Sequence, residues 1–289
     1  MPTKLGQNFL RDKEVLEKII ESADLKADDF VIEIGPGEGV LTEKLIENAG
    51  KVLAIEIDSN LASALDSRFP ASPAGGRGND KVSIITGDIL KINLPEILRG
   101  HLMSIMDIKC PYAYKVVANI PYYITSPIIQ LFLETKFPPS EMILMVQKEV
   151  AERICAPQGK MSILAVSVQF YANSELLFYV DKKSFFPIPE VDSAVIKITP
   201  FQPATSSPAL LLSKEKGVKD FFRIVKAGFS AKRKILVNNL SHSLKLEKYE
   251  VEEKLKKAGI GPTQRAQELS VEDWKKLSLS FPHKRESSE

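Results

Sequence analysis

The residues with the most chemical content in this chain of 289 are the run Ala118-Asn119-Ile120-Pro121-Tyr122-Tyr123. An exocyclic amine on an aromatic ring is a poor nucleophile, because its lone pair is delocalised into the ring. An Asn side-chain oxygen and a backbone carbonyl fixed by a following proline can both accept its N–H hydrogens. Acceptors so placed favour a pyramidal nitrogen whose lone pair points at an electrophilic methyl group. The aromatic after the proline offers a face on which a base can stack, a contact worth about 1–3 kcal/mol. Asn119, Pro121 and Tyr122 therefore suit amine methylation by positioning and hydrogen bonding, with in-line displacement and no covalent enzyme intermediate. By composition alone, Asn-x-Pro-Tyr is also an ordinary turn.

A methyl donor needs its own site, and Glu33-Ile34-Gly35-Pro36-Gly37-Glu38-Gly39 is the candidate. Glycines such as Gly35 and Gly37 let the backbone approach a ligand and adopt positive φ. A dinucleotide turn reads G-x-G-x-x-G and cradles a pyrophosphate at a helix N-terminus. Here the third glycine comes one residue early, at Gly39, and Glu38 would repel a pyrophosphate. The short turn suits a ligand without phosphates, of which S-adenosylmethionine is one, although a tight strand-to-helix turn would look the same. Glu56, ending the next strand, can accept from both ribose hydroxyls. Asp88, in Gly87-Asp88-Ile89, can accept the adenine amino hydrogen between apolar neighbours. Each carboxylate could instead be a polar cap. Together the three positions fall at the ends of three successive strands, where an open parallel sheet binds ligands.

The elements that must position these residues follow from periodicity. Asp12 can cap a helix with Val15, Leu16, Ile19 and Ile20 on one face. Apolar runs at 30–34, 51–57, 82–86, 115–118 and 142–146 read as strands separated by helical stretches at 40–48 and 59–68, or by polar segments. Residues 71–80 read as a surface loop. Strands alternating with helices imply a mostly parallel α/β sheet covered on both faces, a Rossmann-like methyltransferase sheet. A helix is expected over 163–171. Two strands at 175–180 and 193–199, joined by a Pro-rich loop, suit an antiparallel edge hairpin. Beyond a linker the patterns are helical only: 218–229, 232–240, 248–257 and 271–279. The chain thus divides into a catalytic domain over 1–202, a linker over 203–214 and a small all-α domain over 215–289.

Composition bounds the alternatives. No run approaches the roughly 18 apolar residues of a membrane span, and the start has no apolar leader, so a cytoplasmic protein without membrane contact is expected. Two cysteines and three scattered histidines offer neither a disulfide framework nor a metal site. Residues 214–289 carry 18 Lys/Arg against 11 Asp/Glu, and the preceding residues 21 against 26. A basic C-terminal quarter on an acidic body suits a polyanion, or equally a solvated helical surface.

Four runs occur in order: Lys4-Leu5-Gly6-Gln7-Asn8-Phe9-Leu10, the Gly35–Gly39 turn, Asn119-Ile120-Pro121-Tyr122, and Phe185-Phe186-Pro187-Ile188-Pro189-Glu190-Val191-Asp192-Ser193. This set resembles the small-subunit ribosomal RNA adenine N6,N6-dimethyltransferases of the bacterial KsgA type, over Lys4 to about Leu240. The resemblance implies transfer of two methyl groups from S-adenosylmethionine to each of two adjacent adenosines near the 3′ end of small-subunit (16S) rRNA. It also implies an assembling ribosomal subunit as partner and a monomeric enzyme. Carried over by position, Asn8 and Leu10 touch the cofactor, Gly35 lines its methionine side, Glu56 holds the ribose and Asp88 the adenine. Asn119 stands at the methyl-transfer point. Tyr122 stacks on the target base and Phe185 packs on the base's other side, unless Phe185 is core. Lys232, Arg233 and Lys234 bind rRNA phosphates.

Three departures accompany the resemblance: only three residues precede Lys4, Tyr123 replaces a small amide, and Met161-Ser162-Ile163-Leu164-Ala165 replaces a Tyr-Gly-x-Leu-Ser pattern. The rival readings are a large-subunit rRNA adenine methyltransferase of the macrolide-resistance type and a DNA adenine methyltransferase. The first usually has Gly-Ser-Gly-Lys-Gly in the turn and the second a double proline before its Tyr. A ribosome-assembly or transcription factor on the same fold is a third, which the intact Asn119, Tyr122, Glu56 and Asp88 disfavour.

Overall fold

The computed structural model describes residues 8–70, 80–103, 114–201 and 215–281. The linker expected over 203–214, and all but the last residue of the loop expected over 71–80, lie outside them. The chain opens with a short strand β1 (Phe9–Leu10) and a helix α1 (Lys13–Ala23). It continues through β2 (Phe30–Ile34), α2 (Val40–Asn48), β3 (Lys51–Glu56), α3 (Ser59–Arg68), β4 (Val82–Thr86) and α4 (Leu94–Met103). Next come β5 (Tyr114–Asn119), α5 (Thr125–Glu134), β6 (Glu141–Gln147), α6 (Lys148–Ile154) and α7 (Ile163–Gln169). Then β7 (Ala172–Val180), β8 (Phe185–Phe186) and β9 (Ser193–Pro200) precede α8 (Glu215–Gly228), α9 (Leu236–Leu244), α10 (Lys248–Lys257) and α11 (Val271–Leu279).

Contacts divide the chain into two compact units, Met1–Ala151 with Ser174–Pro200, and Glu152–Asn173 with Phe201–Glu289. The main sheet has the order β4-β3-β2-β5-β6-β9-β7, parallel from β4 to β6 and with β9 antiparallel to β6. Strand β2 is buried at all five positions, as a strand covered on both faces must be. The order runs outward in both directions from the β2–β5 pair, which creates a crevice beyond their C-terminal ends. The expected edge hairpin is present, with β9 seated on β6 and β7 outermost.

The two-residue ladder of β1 and β8 is too short to leave a periodic signal in the sequence. Phe9 pairs with Phe186 and Leu10 with Phe185, and the Arg11 amide donates to the Ser184 carbonyl at 2.8 Å. Asp12 caps α1 by accepting from the amides of Glu14 and Val15, and its other oxygen accepts from the Ser184 hydroxyl at 2.8 Å. The ladder and the two bonds to Ser184 fix where the N-terminal segment enters the sheet's C-terminal side.

The second unit has its own core around Phe170, Phe221, Leu236, Leu255 and Trp274. Residues 152–173 belong to it, whereas the sequence reading put them in the catalytic domain. Their apolar side chains, including Ala165, Val166 and Phe170, pack with the C-terminal helices, a tertiary choice that periodicity does not carry. The helix expected over 232–240 starts at Leu236, and residues 230–234 form turns. The buried Asn239 side chain donates to the carbonyls of Gly228 and Ala231, at 2.6 and 3.0 Å, and holds that turn in place. The helix expected over 163–171 ends at Gln169.

Candidate active site

The sheet register brings the expected residues into one row. Ile34 pairs with Ile55, and Glu56 pairs with Thr86, so Gly35, Glu56 and Gly87 follow one another across the strand ends. The Gly35 amide donates to the Ile55 carbonyl at 2.9 Å and the Gly87 amide to the Glu56 carbonyl at 2.7 Å, which carries the ladder to the edge of the crevice. On the other side of β2, Asn119 ends β5 and pairs with Met145. A single cavity wall includes Asn8, Leu10, Gly35, Gly37, Glu56, Asp88, Asn119, Pro121 and Tyr122. Among the residues expected in the catalytic unit's site, only Phe185 is absent from that wall.

All three glycines of the turn have positive φ: 64° at Gly35, 58° at Gly37 and 79° at Gly39. A Cβ on Gly37 would lie 2.9 Å from Cε1 of Phe9, and one on Gly39 would lie 2.5 Å from Cδ2 of Leu65. The turn is thus closed on one side by packing and leaves its backbone to the cavity. Arg11 and Arg68 hold its outer edge, through the Glu38 carboxylate at 2.7 Å and the Glu38 carbonyl at 2.7 Å respectively.

Four carboxyl residues line the cavity, and beside Glu38 of the turn the other three, Glu56, Asp88 and Glu33, differ in their partners. Glu56 is buried, and accepts from the Gly37 amide at 3.1 Å and from the Asp58 amide at 2.9 Å. Asp88 accepts from the Leu90 amide at 3.0 Å and meets Lys91 at 3.3 Å, so it both caps its loop and faces the cavity. Glu33 was read only as the start of the turn; the structure adds it to the wall. It is 1% exposed, and its Oε2 has no hydrogen-bond partner, nor has the hydroxyl of Thr42. Burial pushes the Glu33 carboxyl up to about 8, with the Glu56 charge adding to the shift. Alternation within a buried strand conceals such a residue, because its neighbours Ile32 and Ile34 look like ordinary core.

At the end of β5, the Asn119 amide nitrogen makes a long contact of 3.5 Å to the Asn8 carbonyl. That orientation leaves Oδ1 as an acceptor, a choice set by the bonding network. Pro121 is followed by a 3-10 turn over Tyr122–Ile124. The Tyr122 carbonyl accepts from the Thr125 hydroxyl at 3.2 Å, and the phenol is 2.8 Å from the Ser193 hydroxyl. Burial raises the Tyr122 phenol above its ordinary value, which keeps it neutral.

Phe185 corrects the sequence reading. It is 3% exposed and packs in a core cluster with Leu10, while its neighbour Phe186 is 66% exposed. The pairing of β8 with β1 decides which of the two adjacent rings turns inward. Tyr123 joins the cavity wall and is 62% exposed, so the departure from a small amide changes the rim of the site. In the second unit, Lys232, Arg233 and Lys234 are all exposed on the turn before α9.

The described residues that line the cavity include no Lys, Arg or His, and they include the carboxyl groups of Glu38, Glu56 and Asp88. Such a wall repels phosphates and suits a cation. S-adenosylmethionine, a sulfonium with a nucleoside and no phosphate, fits that donor set. Among the described residues no group of three or more His, Cys, Asp and Glu side chains could hold a metal ion, and no helix is long and apolar enough to cross a membrane.

Comparison with known proteins agrees with this geometry. The profile of the family described as "Ribosomal RNA adenine dimethylase" matches residues 1–282. A relative from Dehalococcoides mccartyi, "Ribosomal RNA small subunit methyltransferase A", is 43% identical over 277 residues, 96% of this chain and 87% of the relative. The crystal structure of a dimethyladenosine transferase from Plasmodium falciparum superposes with a TM-score of 0.72 at 27% identity, covering 93% of this chain and 95% of the other. That of the 23S rRNA methyltransferase ErmE gives 0.67, also at 27% identity, covering 94% and 99%.

Proposed function

The chain belongs to the ribosomal RNA adenine dimethylase family, and on that premise we propose that it dimethylates the N6 amino groups of two adjacent adenosines near the 3′ end of small-subunit rRNA. The observation that carries this reading is the juxtaposition, at the β2–β5 crevice, of a cationic-ligand cavity with the Asn119-Ile120-Pro121-Tyr122 loop. S-adenosylmethionine supplies an activated methyl group on its sulfonium. The chain's own residues do the rest by binding and orientation.

Glu56 offers its remaining lone pairs to the ribose hydroxyls. A carboxylate has about four acceptor sites, and two are taken by the Gly37 and Asp58 amides. Asp88 accepts from the adenine amino group, with Ile57 and Ile89 as apolar walls. Gly35, Gly37, Asn8 and Leu10 close on the methionine side. Asn119 Oδ1 and the Ile120 carbonyl accept the N–H hydrogens of the target amine, so its lone pair is directed rather than conjugated. Tyr122 presents its ring to the base, and no side chain forms a bond to it. The amine loses a proton in each round, and solvent at the open rim takes it.

Lys232, Arg233 and Lys234 bind rRNA phosphates in this reading, a role supported by their exposure and by the basic balance of residues 214–289. The substrate is an assembling small subunit, and the protein acts as a cytoplasmic monomer. The test is incubation with S-adenosylmethionine and unmethylated small subunits, followed by nucleoside mass spectrometry. N6,N6-dimethyladenosine is the expected product; its absence under conditions that bind the cofactor would overturn the reading.

A further inference from the structure

The Pro-rich run ends in Ser193, a residue with no evident chemical duty in methyl transfer. Ser193 opens β9, is fully buried, and pairs across the ladder with Gln147 of β6. Its hydroxyl is 2.8 Å from the Tyr122 phenol oxygen. The other end of Tyr122 is also held, by the Thr125 hydroxyl on its carbonyl at 3.2 Å, and Thr125 is itself 2% exposed. Tyr122 is thus fastened at both ends from buried positions, and the residue lines the cavity.

We infer that Ser193 is a positioning residue, which locks the Tyr122 ring as a fixed wall of the base site through the hydroxyl–phenol hydrogen bond. A Tyr side chain held only at its backbone can rotate about two torsions, and a stacking platform that rotates loses part of its stacking contact. A hydrogen bond to a rigid strand removes that freedom before the base arrives, which is preorganisation rather than added contact. This also explains why the Asn119–Tyr122 loop and the run ending at Ser193, about 70 residues apart in sequence, need each other. Ser193 touches neither base nor cofactor in this account; it acts through Tyr122. The ring lock stands on the geometry alone, and its effect on a base rests on the function proposed above.

The test uses full-length protein carrying 3-fluorotyrosine, with the Tyr122 fluorine resonance identified as the line lost in Tyr122→Phe. In the parent that line is expected to be sharp and shifted from free tyrosine; in Ser193→Ala it should broaden or move toward the solvent position. An unchanged line in Ser193→Ala overturns the inference. In parallel, an RNA carrying 2-aminopurine at the target position should be quenched by the parent and less so by Ser193→Ala. The turnover number should fall about 5- to 10-fold, the size of one lost hydrogen bond of about 1 kcal/mol, with the cofactor KM little changed. Tyr122→Phe keeps the ring and removes the same bond from the other side. It should show the same loss, and the double variant no more than either single one. Full additivity of the two losses overturns the inference. If Ser193→Ala does not fold, Tyr122→Phe alone decides: a parental turnover number contradicts the lock. If the fluorine line responds but the parent leaves 2-aminopurine unquenched, the lock stands and the base assignment falls.

Discussion

Glu56 and Gly37 are joined by a buried hydrogen bond of 3.1 Å, from the glycine amide to carboxylate oxygen Oε2. The second oxygen holds the Asp58 amide, so one carboxylate fixes both the glycine turn and the start of α3. The residue expected to grip the cofactor's ribose is therefore part of the scaffold that shapes the cofactor's loop. Binding and local order at this site are not separable properties.

Gly37→Ala tests the turn. The substitution places a Cβ at φ 58° and 2.9 Å from the Phe9 ring. Left-handed backbone alone costs about 1–2 kcal/mol, so cofactor affinity should fall roughly 10-fold or more. Gly159→Ala is the comparison, since φ there is 93° but nothing lies within 4 Å. Isothermal calorimetry with S-adenosylmethionine should show weakened binding in the first variant and parental binding in the second.

Glu33 gives a pH signature. Its carboxyl rises from 4.5 unfolded to about 8 in the folded chain, chiefly through burial. Between those values the folded protein keeps a proton that the unfolded chain releases, so the contribution of Glu33 to stability is fullest below about pH 4.5 and is lost as pH rises toward about 8. The slope is about 1.4 kcal/mol per pH unit at its steepest. In cofactor-free protein, Glu33→Gln should flatten this decline and raise the melting temperature near pH 8 relative to the parent. Thermal melts across about pH 5 to 9 measure it, and parallel curves for the two proteins would remove Glu33 as the source.

Asn119→Ala removes the acceptor proposed for the target amine while leaving Glu56, Asp88 and the turn untouched. Loss of a preorganised hydrogen-bonding group typically costs about 10²–10³-fold in turnover. Methyl transfer should fall at least that far, with S-adenosylmethionine affinity within a few-fold of the parent. Undiminished turnover would return the loop to an ordinary turn.

Replacing Lys232, Arg233 and Lys234 by Gln should weaken RNA binding and flatten its salt dependence. Each phosphate contact contributes about 0.7–0.9 to the slope of log K against log salt. Three contacts therefore predict a slope shallower by roughly two. Filter-binding titrations at several salt concentrations decide; an unaltered slope would make these residues a solvated surface.

Much of the catalytic unit was legible in the sequence because its strands are buried on both faces and so appear as unbroken apolar runs. The positions of Gly35, Glu56, Asp88 and Asn119 followed from counting strand ends. What escaped was set by long-range pairing. The β1–β8 ladder is two residues long, and it alone decides that Phe185 turns inward and Phe186 outward. Residues 152–173 pack with helices that follow much later in the chain, a choice no local pattern records. Glu33 was hidden by its own strand, and Ser193 by having no chemistry of its own.

The central claim is that the target base is an adenine of small-subunit rRNA. Its most direct test is transfer of labelled methyl groups to unmethylated small and large ribosomal subunits offered separately, with the modified base mapped. The account predicts label on the small subunit only, in N6,N6-dimethyladenosine at two adjacent positions near the 3′ end of its RNA. Label on the large subunit only would contradict it and assign the chain to the macrolide-resistance type of activity.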